Sequence, residues 1–343
     1  MQNPFTLIFG KSPLEPVERP VQTNEIIDAF TADPINQQMF VITGVRGSGK
    51  TVLMTEISQR LHENTEWIVV ELNPAMDLLQ GLLAKLNSNQ VCASIIKSAK
   101  IDLSFFGFGV SIEGTTPLTD AETAIITILE KIKKSGKRLL ITIDEVVNND
   151  FMKVFAGSFQ IFVRQDLPVF LLATGLYENI DEMQKKKNLT FLYRAPKIQL
   201  KPLNTQAITN KYKTIFKIEQ EQASQMAKLT KGYPFAFQVL GYLTWNNQGD
   251  YQGVLAEYSQ YLSEYVYDKI WSELSPKDRI VAQGIAETES GRIKEIREYL
   301  HMETNEFNPY RKRLIKKGII SGDTRGYVEF TLPLFAEYVI ENM

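Results

Sequence analysis

Residues 44–51 read Gly-Val-Arg-Gly-Ser-Gly-Lys-Thr and fit the pattern G-x-x-x-x-G-K-[ST] at every specified position. The spacing follows from what a polyphosphate needs. Gly44 lets the chain leave a strand, and Gly47 and Gly49 permit backbone angles closed to other residues. Between them Val45, Arg46 and Ser48 complete a loop whose N–H groups turn inward around phosphate oxygens, and Val52 extends that surface into the following helix. The positive N-terminal end of that helix adds to the field. Lys50 is expected to reach the β- and γ-phosphates, and Thr51 to offer its hydroxyl to Mg²⁺. A second set of chemical groups ends the run Leu139-Leu140-Ile141-Thr142-Ile143-Asp144-Glu145. Acids at the carboxyl end of a buried parallel strand lie where such sheets bind ligands. Asp144 can hold Mg²⁺ through its water shell, and Glu145 can orient and polarise an attacking water.

These groups need a rigid frame, and the first ~200 residues supply an α/β pattern of short apolar runs alternating with helical periodicity. The strand candidates are 40–43, 67–72, 138–143, 168–173 and 197–200. Most are apolar on both faces, as buried parallel strands are. Helices are expected at 49–61, 75–86 and 120–134, the last capped by Asp120. Residues 100–114 alternate around Phe105, Gly107 and Phe108, and read as an inserted hairpin.

After Leu203 the pattern turns helical throughout. Helices are expected at 206–216, 219–229, 235–245 with Pro234 at its start, and about 251–271. A third unit begins near Ser275-Pro276, with helices at 277–286, 292–301 and 305–317 and then an alternating pair, 319–321 and 327–332. Three helices followed by a hairpin is the winged-helix order. The expected division is therefore 1–203 for the α/β part, 204–272 for an all-α lid and 273–343 for a winged helix.

The loop at Gly44–Thr51 with the strand Leu139–Glu145 resembles the AAA+ ATPases. More narrowly, it resembles the archaeal-type ATPases related to origin-recognition initiators and to STAND signalling ATPases. The resemblance implies a P-loop NTPase fold, ATP as the nucleotide and Mg²⁺ as its metal. It implies that Thr174, ending Phe170-Leu171-Leu172-Ala173-Thr174, senses the γ-phosphate. It further implies that Arg194 acts as a finger on a nucleotide, in its own subunit or a neighbour's, and that Pro234 of Gly232-Tyr233-Pro234 opens a lid helix against the adenine. One departure is the absence of an arginine from Phe235-Ala236-Phe237-Gln238-Val239-Leu240, where many such lids carry one. The Asn/Thr-Lys-x-Asp pattern of guanine recognition is missing after a later strand, its nearest match being Lys100-Ile101-Asp102.

In a winged helix the third helix enters the major groove. Here it carries Arg311, Lys312, Arg313, Lys316 and Lys317, with Asn305 and Asn308 near its start and Arg325 at the wing tip. Asn308, Arg311, Lys312, Lys316 and Arg325 are the candidates for contact with double-stranded DNA. Residues 264–343 nevertheless hold 12 Lys+Arg against 14 Asp+Glu, so docking to a protein partner stays open. The run Lys185-Lys186-Lys187 is either a solvated loop or, in a homo-oligomer, part of a nucleic-acid path.

Composition sets the outer limits. The 343 residues are 44% hydrophobic and 23% charged with a formal net charge of −2, an ordinary globular balance that excludes a chain wholly coated for nucleic acid. Cys92 stands alone and the two histidines, His62 and His301, are far apart, so neither a disulfide nor a cysteine-based zinc site is available. No apolar run approaches the ~18–20 residues that span a bilayer, and residues 1–20 lack a signal-peptide pattern. The expectation is a cytoplasmic ATPase without a membrane anchor, whose turnover can be slow.

Overall fold

The computed structural model describes residues 2–8, 10, 13–108, 117–185 and 195–342. The chain divides into two compact units. One holds Pro20–Thr43 and Leu53–Gln199, and the other holds Met1–Arg19, Gly44–Val52 and Leu200–Met343.

The first unit is built on a parallel sheet. Its strands are β1 (Met39–Thr43), β2 (Trp67–Leu72), β3 (Arg138–Ile143), β4 (Val169–Gly175) and β5 (Lys197–Gln199), in the order β2-β3-β4-β1-β5. All five expected strands are present. Every residue of β1 and β4 is buried, and β3 is buried beyond Arg138. That explains why these strands read as continuous apolar runs rather than as alternation. The register sets their carboxyl ends level, with Thr43 opposite Gly175 and Ile143 opposite Ala173.

The helices of this unit are α1 (Pro20–Thr31), α2 (Lys50–His62, whose first turn belongs to the other unit), α3 (Leu78–Ser88), α4 (Gln90–Ser98), α5 (Ala121–Lys134), α6 (Asp150–Arg164) and α7 (Tyr177–Lys185). Side-chain caps fix several starts. Asp77 accepts from Leu79 and Gln80, Asn89 from Val91 and Cys92, Asp120 from Thr123, and Asn149 from Met152. Leu82, Leu83, Ile125, Ile128, Phe155 and Phe159 bury against the sheet's apolar residues, at about 1.5–3 kcal/mol each. Where the alternation of residues 100–114 predicts a hairpin, the described part holds a single 3-10 turn, Ser104–Phe106, and no strand. Asp102 turns the chain there by accepting from the Ser104 N–H at 2.9 Å. Residues 109–114 lie outside the described residues.

The second unit holds α8 (Thr205–Phe216), α9 (Gln220–Leu229), α10 (Pro234–Asn246), α11 (Leu255–Leu262) and α12 (Asp268–Ser272), the last two joined by a π-turn at Ser263–Tyr267. Next come α13 (Pro276–Glu287), α14 (Ile293–Leu300), α15 (Thr304–Lys317), an antiparallel ribbon of β6 (Ile320–Ser321) and β7 (Glu329–Phe330), and α16 (Phe335–Glu341). The order helix–helix–helix–ribbon is as read from the sequence, and α16 is additional to it. One continuous core runs from Leu203 to Val339 and takes in Phe5. Phe5 packs on Tyr212, Phe216 and Phe237. Gly241 makes room for it, since a Cβ there would lie 2.3 Å from the Phe5 ring. Among the described residues no helix is long and apolar enough to cross a membrane.

Candidate functional site

The loop that follows β1 is held open from outside. Gly47 and Gly49 have φ of +74° and +86°, values at which a side chain is strained. The turn closes through the Ser48 N–H on Val45 O at 3.1 Å. Three successive carbonyls then meet outside donors: Arg46 O accepts from Tyr233 Oη at 2.6 Å, Gly47 O from the Phe235 N–H at 3.3 Å, and Ser48 O from Arg19 Nη2 at 3.4 Å. Lys50 opens α2, and its buried ammonium donates to Gly44 O and Val45 O, both at 3.1 Å. Thr51 and Val52 follow, both half-buried, in the first turn of α2. The N–H groups of that turn have no carbonyl within the helix to bond.

Pro234 is the first residue of α10 and lies against the loop. Its Cγ is 3.8 Å from the place a Gly49 Cβ would take. Arg46 spans outward to Glu273 at 3.3 Å, an ion pair exposed enough to contribute little stability. Burial pulls the Arg19 guanidinium down to about 10, still protonated at neutral pH. Burial pushes the Tyr233 hydroxyl well above its ordinary range, so it remains a donor.

The loop fits a polyphosphate on the donors it keeps. Ser48 Oγ is buried and meets no protein partner among the described residues. Nor does any described backbone carbonyl accept from the Gly47 or Gly49 N–H. Gly44 is closely approached: a Cβ there would stand 2.5 Å from Ser48 Oγ and 3.3 Å from Leu200 Cβ.

In the sheet unit Asp144 follows the last residue of β3, and Thr174 is the penultimate residue of β4. The buried Thr174 hydroxyl donates to Asp144 Oδ1 and accepts from the Glu145 N–H at 3.0 Å. That N–H also lies 3.1 Å from Asp144 Oδ1, and the Val146 N–H continues on to Thr174 O at 2.9 Å. Glu145 has a φ of +50° and is exposed, while Asp144 is half-buried. Thr174 thus fixes one carboxylate and turns the next residue outward. Among the described residues no three His, Cys, Asp or Glu side chains form a metal site by themselves.

The basic helix α15 divides into separate fates. Arg313 is structural: its Nη2 is 2.7 Å from Oδ1 of the buried Asp278 and 3.1 Å from Ser275 Oγ. Arg311 packs beside the ribbon, its Nη2 2.8 Å from where a Gly322 Cβ would be. Lys317 is buried. Lys312, Lys316 and Arg325 are exposed, and Asn308 is half-buried. Arg194 and the run at 186–187 lie outside the described residues. The loop residues thus come together with Pro234, and Asp144 with Glu145 and Thr174. The contacts of Arg19 and Tyr233 with the loop go beyond the sequence reading, in which Tyr233 is only the middle residue of Gly232-Tyr233-Pro234 and Arg19 carries no signal.

A cavity of about 650 Å³ opens in the second unit beside α13, the ribbon and α16. Its lining includes the apolar Ile285 and Phe330, the acidic Glu289, Asp323, Glu329 and Glu337, and the basic Lys231.

Comparison with known proteins adds fold but little sequence. Residues 264–339 match a family described as a domain of unknown function, DUF8462. No curated protein matches the sequence. Among solved structures, a Walker-type ATPase of Pyrococcus abyssi superposes with a TM-score of 0.66 at 15% identity, over 95% of this chain and 99% of that one. The ORC2 protein of Aeropyrum pernix in its ADPNP–ADP complexes gives 0.61 at 14% identity, over 97% and 95%. Its ADP form gives 0.50 at 14% identity, over 98% and 95%.

Proposed function

We propose that this chain, which has the α/β P-loop fold of the Walker-type and Orc/Cdc6-type AAA+ ATPases, binds Mg-ATP on the loop Gly44–Val52 and hydrolyses it. The observation that carries this reading is the loop itself. Its carbonyls at residues 46, 47 and 48 are all taken by donors outside it, at the start of a helix that begins with Lys50. A peptide chain turned this way offers N–H groups and a helix N-terminus to an anion.

The residues divide the work by chemistry. Lys50 neutralises phosphate charge, and the Thr51 hydroxyl with Asp144 would hold Mg²⁺. The metal, when bound, supplies charge neutralisation on the phosphates. Glu145 orients the attacking water and can take its proton, while Thr174 keeps Asp144 and Glu145 in register. Arg194 would add positive charge at a γ-phosphate, most usefully that of a neighbouring copy in a homo-oligomer. Such a reaction is accelerated by positioning and electrostatics, with no covalent enzyme intermediate. The division into an ATPase part at 1–203, a lid at 204–272 and a winged helix at 273–343 is part of the same reading. In it the nucleotide state moves the C-terminal part, which acts on DNA through Lys312, Lys316 and Arg325 with Asn308 and Arg311.

Phosphate release from ATP, followed in the wild type and in Glu145→Gln, tests the enzyme claim. The wild type should turn over, and the variant should bind ATP and hold it uncleaved. Equal turnover in both would remove Glu145 from the mechanism. A wild type that only retains ATP would make the protein a nucleotide-bound scaffold.

A second reading is favoured by the acid-walled cavity. Four acidic residues against one lysine, Lys231, give its lining a net negative balance that suits a cationic protein segment better than a phosphate backbone, which fits a regulatory switch with a protein partner. Binding of a duplex across a salt series separates the two. Phosphate contacts give an affinity that falls steeply with salt and is weakened by Lys312→Glu with Lys316→Glu. Binding that ignores both salt and charge reversal would leave the protein-partner reading.

A further inference from the structure

Of the three donors on the phosphate loop, Tyr233 makes the shortest hydrogen bond, 2.6 Å to Arg46 O, and does so from a buried, neutral side chain. A trans peptide is planar, and its C=O and N–H point in opposite directions. Arg46 O and the Gly47 N–H belong to one peptide. Fixing that oxygen on Tyr233 therefore turns the Gly47 N–H the other way. We propose that Tyr233 is a positioning residue for the phosphate loop: its hydroxyl locks the Arg46–Gly47 peptide with the Gly47 N–H directed at bound phosphate. This rests on the ATP reading above.

The ring reinforces the hydroxyl. A Cβ on Gly47 would lie 2.3 Å from Tyr233 Oη and 2.9 Å from Cζ, so the ring packs directly on the Gly47 Cα and leaves no room for a side chain there. Tyr233 also immediately precedes α10, whose Ala236, Phe237, Val239 and Leu240 are buried in the core. A change of loop shape at Gly47 is thereby passed to that helix. The start of that helix therefore meets the loop twice, through the Tyr233 hydroxyl on Arg46 O at 2.6 Å and the Phe235 N–H on Gly47 O at 3.3 Å.

A rival role is simple packing, which phenylalanine would fill as well. Tyr233→Phe separates the two, because it removes one oxygen and keeps the ring. Mg-ATP and Mg-ADP dissociation constants should rise about tenfold, the effect of one hydrogen bond in a desolvated site. The thermal midpoint of the nucleotide-free protein should fall by no more than about 2–4 °C. Lys50→Ala, measured alongside, should raise the same constants by more than Tyr233→Phe does. Constants within twofold of wild type in Tyr233→Phe, with Lys50→Ala still impaired, would overturn the role of Tyr233 and leave the ATP site standing. An affinity loss accompanied by a much larger fall of the midpoint would reassign Tyr233 to packing. A wild type without Mg-dependent affinity for either nucleotide would end both readings.

Discussion

Replacing Thr174 by valine should separate chemistry from binding more cleanly than removing either acid. Valine keeps the β-branched shape and the strand preference of a fully buried position. What is lost is one oxygen with two bonds, to the Asp144 carboxylate and from the Glu145 N–H. A hydrogen bond to a charged group is worth about 1.5–3 kcal/mol and a neutral one about 0.5–1.5 kcal/mol. The Glu145 N–H keeps its 3.1 Å contact with Asp144 Oδ1, and the half-buried Asp144 regains some water. A net loss of about 2 kcal/mol in folding stability is therefore expected. Misplacement of both acids should cost turnover about 100-fold, equivalent to about 2.7 kcal/mol of transition-state stabilisation. The affinity for Mg-ATP, carried mainly by the loop, should change by no more than about threefold, or roughly 0.7 kcal/mol. Urea unfolding, phosphate release and titration calorimetry read the three quantities. Turnover within threefold of wild type, or a loss confined to ATP affinity, would refute the assignment of Thr174 to the acid pair.

Other substitutions probe the remaining links. Gly47→Ala puts a methyl 2.3 Å from Tyr233 Oη at a φ of +74°; it should cost about 1–3 kcal/mol in strain and weaken nucleotide binding, seen together by thermal shift with and without Mg-ATP. Arg313→Met strands the buried Asp278 carboxylate and should destabilise the fold by about 2–4 kcal/mol in a urea titration. Lys312→Glu in the same titration should leave stability within about 0.5 kcal/mol, since that side chain is exposed. The Asp120 carboxyl is held below its ordinary range by its bond to Thr123. A folded-state pKa that is depressed contributes stability above the unfolded value and loses it as pH falls through the folded one. The cap, worth about 1 kcal/mol, should therefore fade on acidification below the carboxylate range, and Asp120→Asn should flatten that part of the pH–stability curve.

The glycine turn after β1 and all five strands were legible because their signals are local. A glycine spacing and an unbroken apolar run each determine their own conformation, and the strand ends at 143 and 175 then follow from register. Helix α6 carries a usable signal as well, with Asn149 as its cap and Met152, Phe155, Phe159 and Phe162 on one buried face. Its dense aromatics blur the polar side of that period. Tyr233 and Arg19 were hidden for another reason, since they reach the loop across 187 and 29 residues of sequence. No periodicity encodes such a contact. The basic face of α15 misled in part, because a sequence cannot distinguish Arg313, spent on a buried aspartate, from the exposed Lys312 beside it. The alternation of Ile101 and Leu103 reads as strand, yet both bury around a turn made by Asp102.

The loop after β1 should bind the phosphates of ATP. Calorimetry with Mg-ATP on the wild type and on Lys50→Ala addresses it directly. Saturable binding near one site per chain in the wild type, weakened at least about 30-fold in the variant, or roughly 2 kcal/mol, is the predicted result. Equal affinity in the two proteins, or no binding by the wild type with magnesium present, would contradict it.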